Sequence, residues 1–275
     1  EVPPGVPGRL ARFYLYFAHH TGDHIRLAVA EDLTGPWRVH RPAVLHLHET
    51  DFAQQAPDLP QPDWAVAQGV DGLYPHIASP DVHWSPETQC FEMWLHGMDG
   101  DGTQRSIRAL SDDGLMWQPS TVRTEQTYLK LFDWRGARLA LGHGGQILFP
   151  DGPDRFTDGP RPFAPGFRHG AVLVRGDVAY ILWSRIGDAP EQLWISRMSE
   201  EWDVEQTVPL LRPELPWEGS DLPVQPSQIG AALTKEHALR DPEVFHCDGR
   251  TYLAYAGGGE AAIGLAEICG PARVG

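Results

Sequence analysis

An all-β fold, a five-bladed β-propeller, is predicted for this chain by three observations. Four stretches, residues 12–20, 91–97, 178–185 and 251–257, repeat one pattern, an alternating apolar run that ends in small or charged residues. Each then meets a partner run, at 25–30, 106–111, 192–197 and 262–267. Period-two alternation bounded by turn residues marks β-strands, and a strand unit recurring at roughly 40 residues or more marks a propeller blade. Finally, 29 Gly and 25 Pro in 275 residues suit many short strands joined by tight turns.

The blades follow in order along a single domain, 1–275. The first, about 9–48, is a hairpin followed by the turn Asp32-Leu33-Thr34-Gly35-Pro36-Trp37 and an outer strand. It lacks an inner strand ahead of Arg9, because only a Pro/Gly-rich stretch precedes that residue. Either an inner strand lies upstream of Glu1 or the C-terminal tail closes the ring, since a propeller closes to leave no sheet edge open. Residues 49–75, rich in Asp, Gln and Pro, form a long insertion without periodicity; insertions of that length are functional or mobile. The second blade, about 76–121, opens at His76, and its turn Ser111-Asp112-Asp113-Gly114-Leu115-Met116-Trp117 echoes that of the first. The third, about 125–160, carries the weakest pattern. The fourth, about 167–211, is followed by a Pro-rich excursion at 212–223, and the fifth spans about 240–268.

Composition narrows the function. With 41% hydrophobic residues and ten Trp, the chain can bury a large core. A net charge of −15 argues against a nucleic-acid partner, which would call for a basic face. Cys90, Cys247 and Cys269 are odd in number and far apart, so they suggest neither a disulfide framework nor a zinc site. The dispersed histidines have no metal spacing. No cofactor is expected, and a structural or axial metal ion stays open. No apolar run approaches transmembrane length and the N-terminus lacks the order of a signal peptide. A cytoplasmic protein without a membrane partner is therefore expected, with a removed leader left open. Oligomeric state is not encoded in any feature of the sequence.

Propeller geometry sorts the polar residues. Strands run up and down from the axis outward, so innermost-strand starts and second-strand ends share a face. The first set supplies His76, Asp81, Arg168, His169, Arg240 and Asp241; the second supplies His19, His20, His96, Arg185, Asp188 and Glu260. The opposite face receives ordinary turns such as Arg175-Gly176-Asp177. His76, Asp81, His169, Arg185 and Asp241 are accordingly expected around one axial cavity, with the Trp217–Asp221 loop folded over it. Each has a plainer alternative. Asp81 follows Pro80 and could cap a turn; Asp241 could pair with Arg240; a lone His is commonly structural. Glu191 could simply pair with Arg185. Trp217 could cover a core edge or stack on a sugar ring, and Glu218 and Asp221 add two carboxylates to its loop.

These motifs resemble the five-bladed glycoside hydrolases of family 43 and family 117. Tyr14-Leu15-Tyr16-Phe17-Ala18-His19-His20 with Asp32-Leu33-Thr34-Gly35-Pro36-Trp37 is similar to their first blade. Ala78-Ser79-Pro80-Asp81-Val82 resembles their second-blade Ala-Pro-Asp motif, and Arg240-Asp241-Pro242 with Asp248-Gly249-Arg250-Thr251-Tyr252-Leu253 resembles their recurring Asp-Pro and Asp-Gly signature. The likeness spans the chain and is blade-like throughout. It implies a sugar-cleaving activity in which Asp81 tunes the acid and orients the sugar. The first-blade Asp that acts as base in family 43 has no counterpart here. Where a fourth-blade Glu would be the acid, the chain reads Phe167-Arg168-His169-Gly170, which fits the histidine acid of a family 117 type of site. Glu218 is the alternative acid. Cleavage needs one group to protonate the leaving oxygen and a carboxylate to activate water or attack carbon.

The expected function is thus an exo-acting, inverting glycoside hydrolase with a carbohydrate substrate. The candidate catalytic residues are Asp81, His169, Glu218 and Asp241. The candidate binding residues are His19, His20, His76, His96, Arg168, Arg185, Asp188, Glu191, Trp217 and Asp221. Two other readings compete: a glycoside phosphorylase, with Arg168 and Arg185 on phosphate, and a non-catalytic sugar-binding propeller.

Overall fold

The computed structural model describes residues 1–19 and 21–269. Among these, five antiparallel sheets follow one another along the chain and make the five-bladed β-propeller that the repeat predicts. The first contains β1 (Phe13–Ala18), β2 (His24–Ala30), β3 (Arg38–Val39) and β4 (Leu45–His46). The second contains β5 (Ile77–Ser85), β6 (Cys90–Met98), β7 (Gln104–Ser111) and β8 (Gln118–Pro119). The third contains β9 (Lys130–Trp134), β10 (Ala137–Gly142), β11 (Gln146–Pro150) and β12 (Phe156–Asp158). The fourth contains β13 (Phe167–Arg175), β14 (Val178–Arg185), β15 (Leu193–Met198) and β16 (Val204–Leu211), and the fifth β17 (Leu239–Cys247), β18 (Arg250–Gly257) and β19 (Ala262–Glu267).

The chain divides into two compact units, one comprising residues 1–129 and 151–156, the other the remainder. In the first unit, alternate residues of β2 and β6, among them Ile25, Leu27, Met93 and Leu95, point into one core with Ile77 and Ile107. Val2 and Val6 join that core, so the N-terminal stretch packs on the first sheet. In that sheet β3 and β4 both pair with β2, giving three strand positions, in line with a first blade short of its inner strand. The tail at 270–275 that could supply it, like His20, lies outside the described residues. The 49–75 insertion is not wholly irregular: it holds a short helix, α1 (Asp63–Gln68), ended by Gly69 in the left-handed conformation.

The second unit has two clusters. Phe132, Leu141, Phe167, Ile181 and Trp183 form one, and Leu173, Leu182, Leu193, Leu239, Leu253 and Tyr255 the other. Strands β13 and β17 lie side by side in this unit, which brings the starts of the fourth and fifth blades together. No helix among the described residues is long and apolar enough to cross a membrane.

Candidate functional site

The innermost strands of three blades share one irregularity near their start. Pairing skips between Ala78 and Asp81 in β5, between Phe167 and Gly170 in β13, and between Arg240 and Glu243 in β17. Bulges of this kind re-aim side chains. Ser79 and Asp241, each just before a proline, have φ of 52° and 50°. A side chain held in the left-handed region is unusual and marks a backbone constrained by its surroundings.

In the second unit, two bulged segments bring His169 and Asp241 together: the imidazole Nδ1 and a carboxylate oxygen of Asp241 form an ion pair and hydrogen bond. Beneath them lies a buried charge network. Glu191 is fully buried, and its two oxygens accept from Arg168 Nε at 2.8 Å and Arg240 Nε at 2.9 Å. Arg168 and Arg240 immediately precede His169 and Asp241. One carboxylate therefore ties the two bulges to each other, and the N–H of Leu239 donating to the Glu191 carbonyl at 3.0 Å fixes the same register through the backbone. Arg240 also reaches Glu236 and Glu260, and Arg168 donates to the carbonyls of Gln228 and Gly230. A buried ion pair requires this density of partners to offset desolvation.

Burial acts to raise the Asp241 pKa, but the charge and hydrogen bond of His169, followed by Arg240 and Arg168, outweigh it and hold the carboxyl well below the usual carboxylate range. Asp241 is thus an anion that fixes the His169 ring through Nδ1. His143, in the Gly-rich turn between β10 and β11, is held below the usual histidine value by desolvation, His169 and Arg161. Sequence reasoning overlooked His143; its flanking glycines, Gly142 and Gly144, were the available signal.

Other expected residues of this unit have different surroundings. Arg168 and Glu191 were expected to bind substrate; they are buried and bonded to each other and to protein groups. Glu218, the alternative acid, is likewise enclosed. It is buried, with one oxygen accepting the N–H groups of Glu214 and Leu215 and the other the Tyr255 hydroxyl at 2.7 Å. Burial and this bond push the Tyr255 hydroxyl well above its ordinary pKa. The Trp217 ring packs on Tyr255 and over Gly257 and Gly264, where a Cβ would collide with it, so Trp217 and Glu218 seat the loop on the fifth sheet. Asp221 is exposed, 3.9 Å from Lys235. The Arg185 guanidinium lies over Trp183 and Trp194, and Asp188 accepts from the Trp194 indole at 2.7 Å.

In the first unit, Asp81 is buried and accepts from His83 Nε2 at 2.7 Å. His76 and His96 are buried with their rings 5.6 Å apart, and Tyr128 lies 4.2 Å from the His96 ring. His19 is exposed and bonded to Thr21. No cluster of three or more His, Cys, Asp or Glu among the described residues is arranged to hold a metal ion.

No protein-family model matches the chain. An uncharacterized protein of Acanthamoeba polyphaga mimivirus is 29% identical over 289 residues, covering 96% of this chain and 78% of that protein. Among solved structures, an exo-1,5-α-L-arabinanase from a bovine ruminal metagenomic library superposes with a TM-score of 0.57 at 14% identity, over 94% of this chain and 90% of that one. A GH43 β-xylosidase/α-arabinofuranosidase from a compost microbial metagenome, in complex with xylotriose, does so with a TM-score of 0.58 at 13% identity, over 93% and 84%. A GH43_1 enzyme from Xanthomonas citri gives 0.60 at 11% identity, over 95% and 87%. The chain therefore shares the five-bladed β-propeller fold of the family 43 glycoside hydrolases.

Proposed function

We propose that this protein is a glycoside hydrolase that releases a terminal sugar from an oligo- or polysaccharide with inversion, the stereochemistry of family 43. The observation that carries the reading is the His169–Asp241 pair, raised on two bulges and braced from below by Glu191. An ionised Asp241 on Nδ1 orients the ring, so the proton delivered to the glycosidic oxygen leaves from Nε2. A histidine on a fixed carboxylate is a usual general acid. In the first unit, Asp81, whose carboxylate is held by His83, remains the candidate for contacting sugar.

The arrangement disfavours the phosphorylase alternative. The Arg168 guanidinium is occupied by Glu191 and two backbone carbonyls, leaving it unsuited to capture phosphate. A panel of aryl pentosides and hexosides, assayed with and without inorganic phosphate, tests the reading, with the product anomer followed by NMR. Phosphate-independent turnover with inverted product is expected. Strictly phosphate-dependent cleavage would establish the phosphorylase, and sugar binding without turnover the non-catalytic propeller.

A further inference from the structure

The outer edge of the first sheet carries a basic cleft that the proposed hydrolysis does not use. The third strand position is split: β3 pairs with Ala28 and Val29 of β2, and β4 pairs with His24 and Ile25. The chain leaves the sheet opposite Arg26 and returns two residues further down β2, opening a cleft of about 330 Å³ lined by His24, Arg26, His40, Arg41 and His46. His24 and Arg26 share a strand face by the two-residue period, and His24 is directly opposite His46, with ring centroids 5.6 Å apart.

The cleft is lined by positive charge in an acidic molecule. The chain carries a net charge of −15, and Arg105, Arg168 and Arg240 all sit on carboxylates. Arg26 and Arg41 make no ion pair among the described residues, and no Asp or Glu lines the cleft. Arg26 is half-buried and steadied instead on the ring of Phe17, its β1 neighbour, 4.9 Å from the centroid. Of the nearby acids, one is bonded to a cleft histidine and the other to backbone, and neither reaches an arginine of the cleft. Asp23 bonds His24 Nδ1 at 2.7 Å, and Glu49 accepts the backbone N–H of His46 at 2.7 Å. His48 stacks on His46 at 5.2 Å, and Arg38, on β3, adds another positive charge at the edge.

We propose that this cleft binds a small oxyanion, a phosphate or carboxylate group, either free or carried on a sugar. Two unneutralised guanidiniums supply planar donors that match such groups. Three imidazoles, His24, His40 and His46, add ring N–H donors along the same wall.

The test titrates the whole protein with inorganic phosphate, glucose 6-phosphate, glucuronate and neutral glucose at low and at high salt, by calorimetry and by the histidine ring NMR signals. At least one anion is expected to bind at low salt, with roughly tenfold weakening at high salt and again in R26Q/R41Q, while glucose does not bind. Binding of glucose 6-phosphate or glucuronate without inorganic phosphate identifies a sugar-borne anion; equal binding of both phosphates identifies the free ion. The exposed R41Q single variant serves if the double variant melts early. Absence of binding by every anion, affinity unchanged between low and high salt, or wild-type affinity in the folded variants would overturn the proposal.

Discussion

Asp241 lies among His169, Arg168 and Arg240, whose positive charges hold its carboxyl well below the usual carboxylate range. The unfolded chain therefore binds more protons than the folded one as pH falls through that range. The stabilisation is complete above about pH 4 and is lost progressively below it. Asp241→Asn is expected to lower the melting temperature at pH 6, and its deficit relative to wild type should shrink as the pH is lowered below about 4. A deficit of equal size at both pH values would contradict the assigned charge state. Glu191 acts differently, because its removal leaves two buried guanidiniums facing each other. Glu191→Ala should cost about 3–5 kcal/mol in denaturant unfolding. Glu191→Gln keeps the shape and part of the hydrogen bonding, and should cost less. The sequence offered Glu191, after Asp188-Ala189-Pro190, as a binding residue or as a partner of Arg185. Its partner Arg240 is 49 residues away, so no local pattern could reveal the clamp.

At the scale of elements, the loop after β16 is seated by one ring. Trp217 fills the space that the missing side chains of Gly257 and Gly264 leave on β18 and β19. Gly264→Ala would force that ring or Tyr255 to move, at about 1–3 kcal/mol of overpacking; a lowered melting temperature and altered tryptophan emission would report it. In the sequence Trp217 is equally open to a sugar-stacking role, and the structure shows why: its contact surface is two distant glycines. The strand hairpins, by contrast, were plain, because period-two alternation is local and β1, β6, β14 and β18 each have it. The helix α1 was hidden for the opposite reason. Six residues make too few turns for apolar periodicity to stand out from a Pro-rich insertion. The split of β3 from β4 also escaped, since both halves are two residues long.

At the scale of the whole molecule, the repeat made the five-bladed fold readable, and strand direction put His169 and Asp241 on one face without naming them as partners. Their pairing follows from strand polarity: both stand at the start of an innermost strand, and those strands are β13 and β17. Asp81→Asn tests the candidate of the first unit by itself. If Asp81 contacts the sugar, turnover should fall by about 10²–10⁴ with little change in melting temperature; a fully active, stable variant would remove that role. The most direct measurement compares turnover of the best aryl glycoside by wild type and His169→Gln, with the melting temperature recorded on each preparation. The account predicts wild-type turnover that falls by about 10²–10⁴ in a variant that remains folded. Full activity in a folded His169→Gln protein would contradict it.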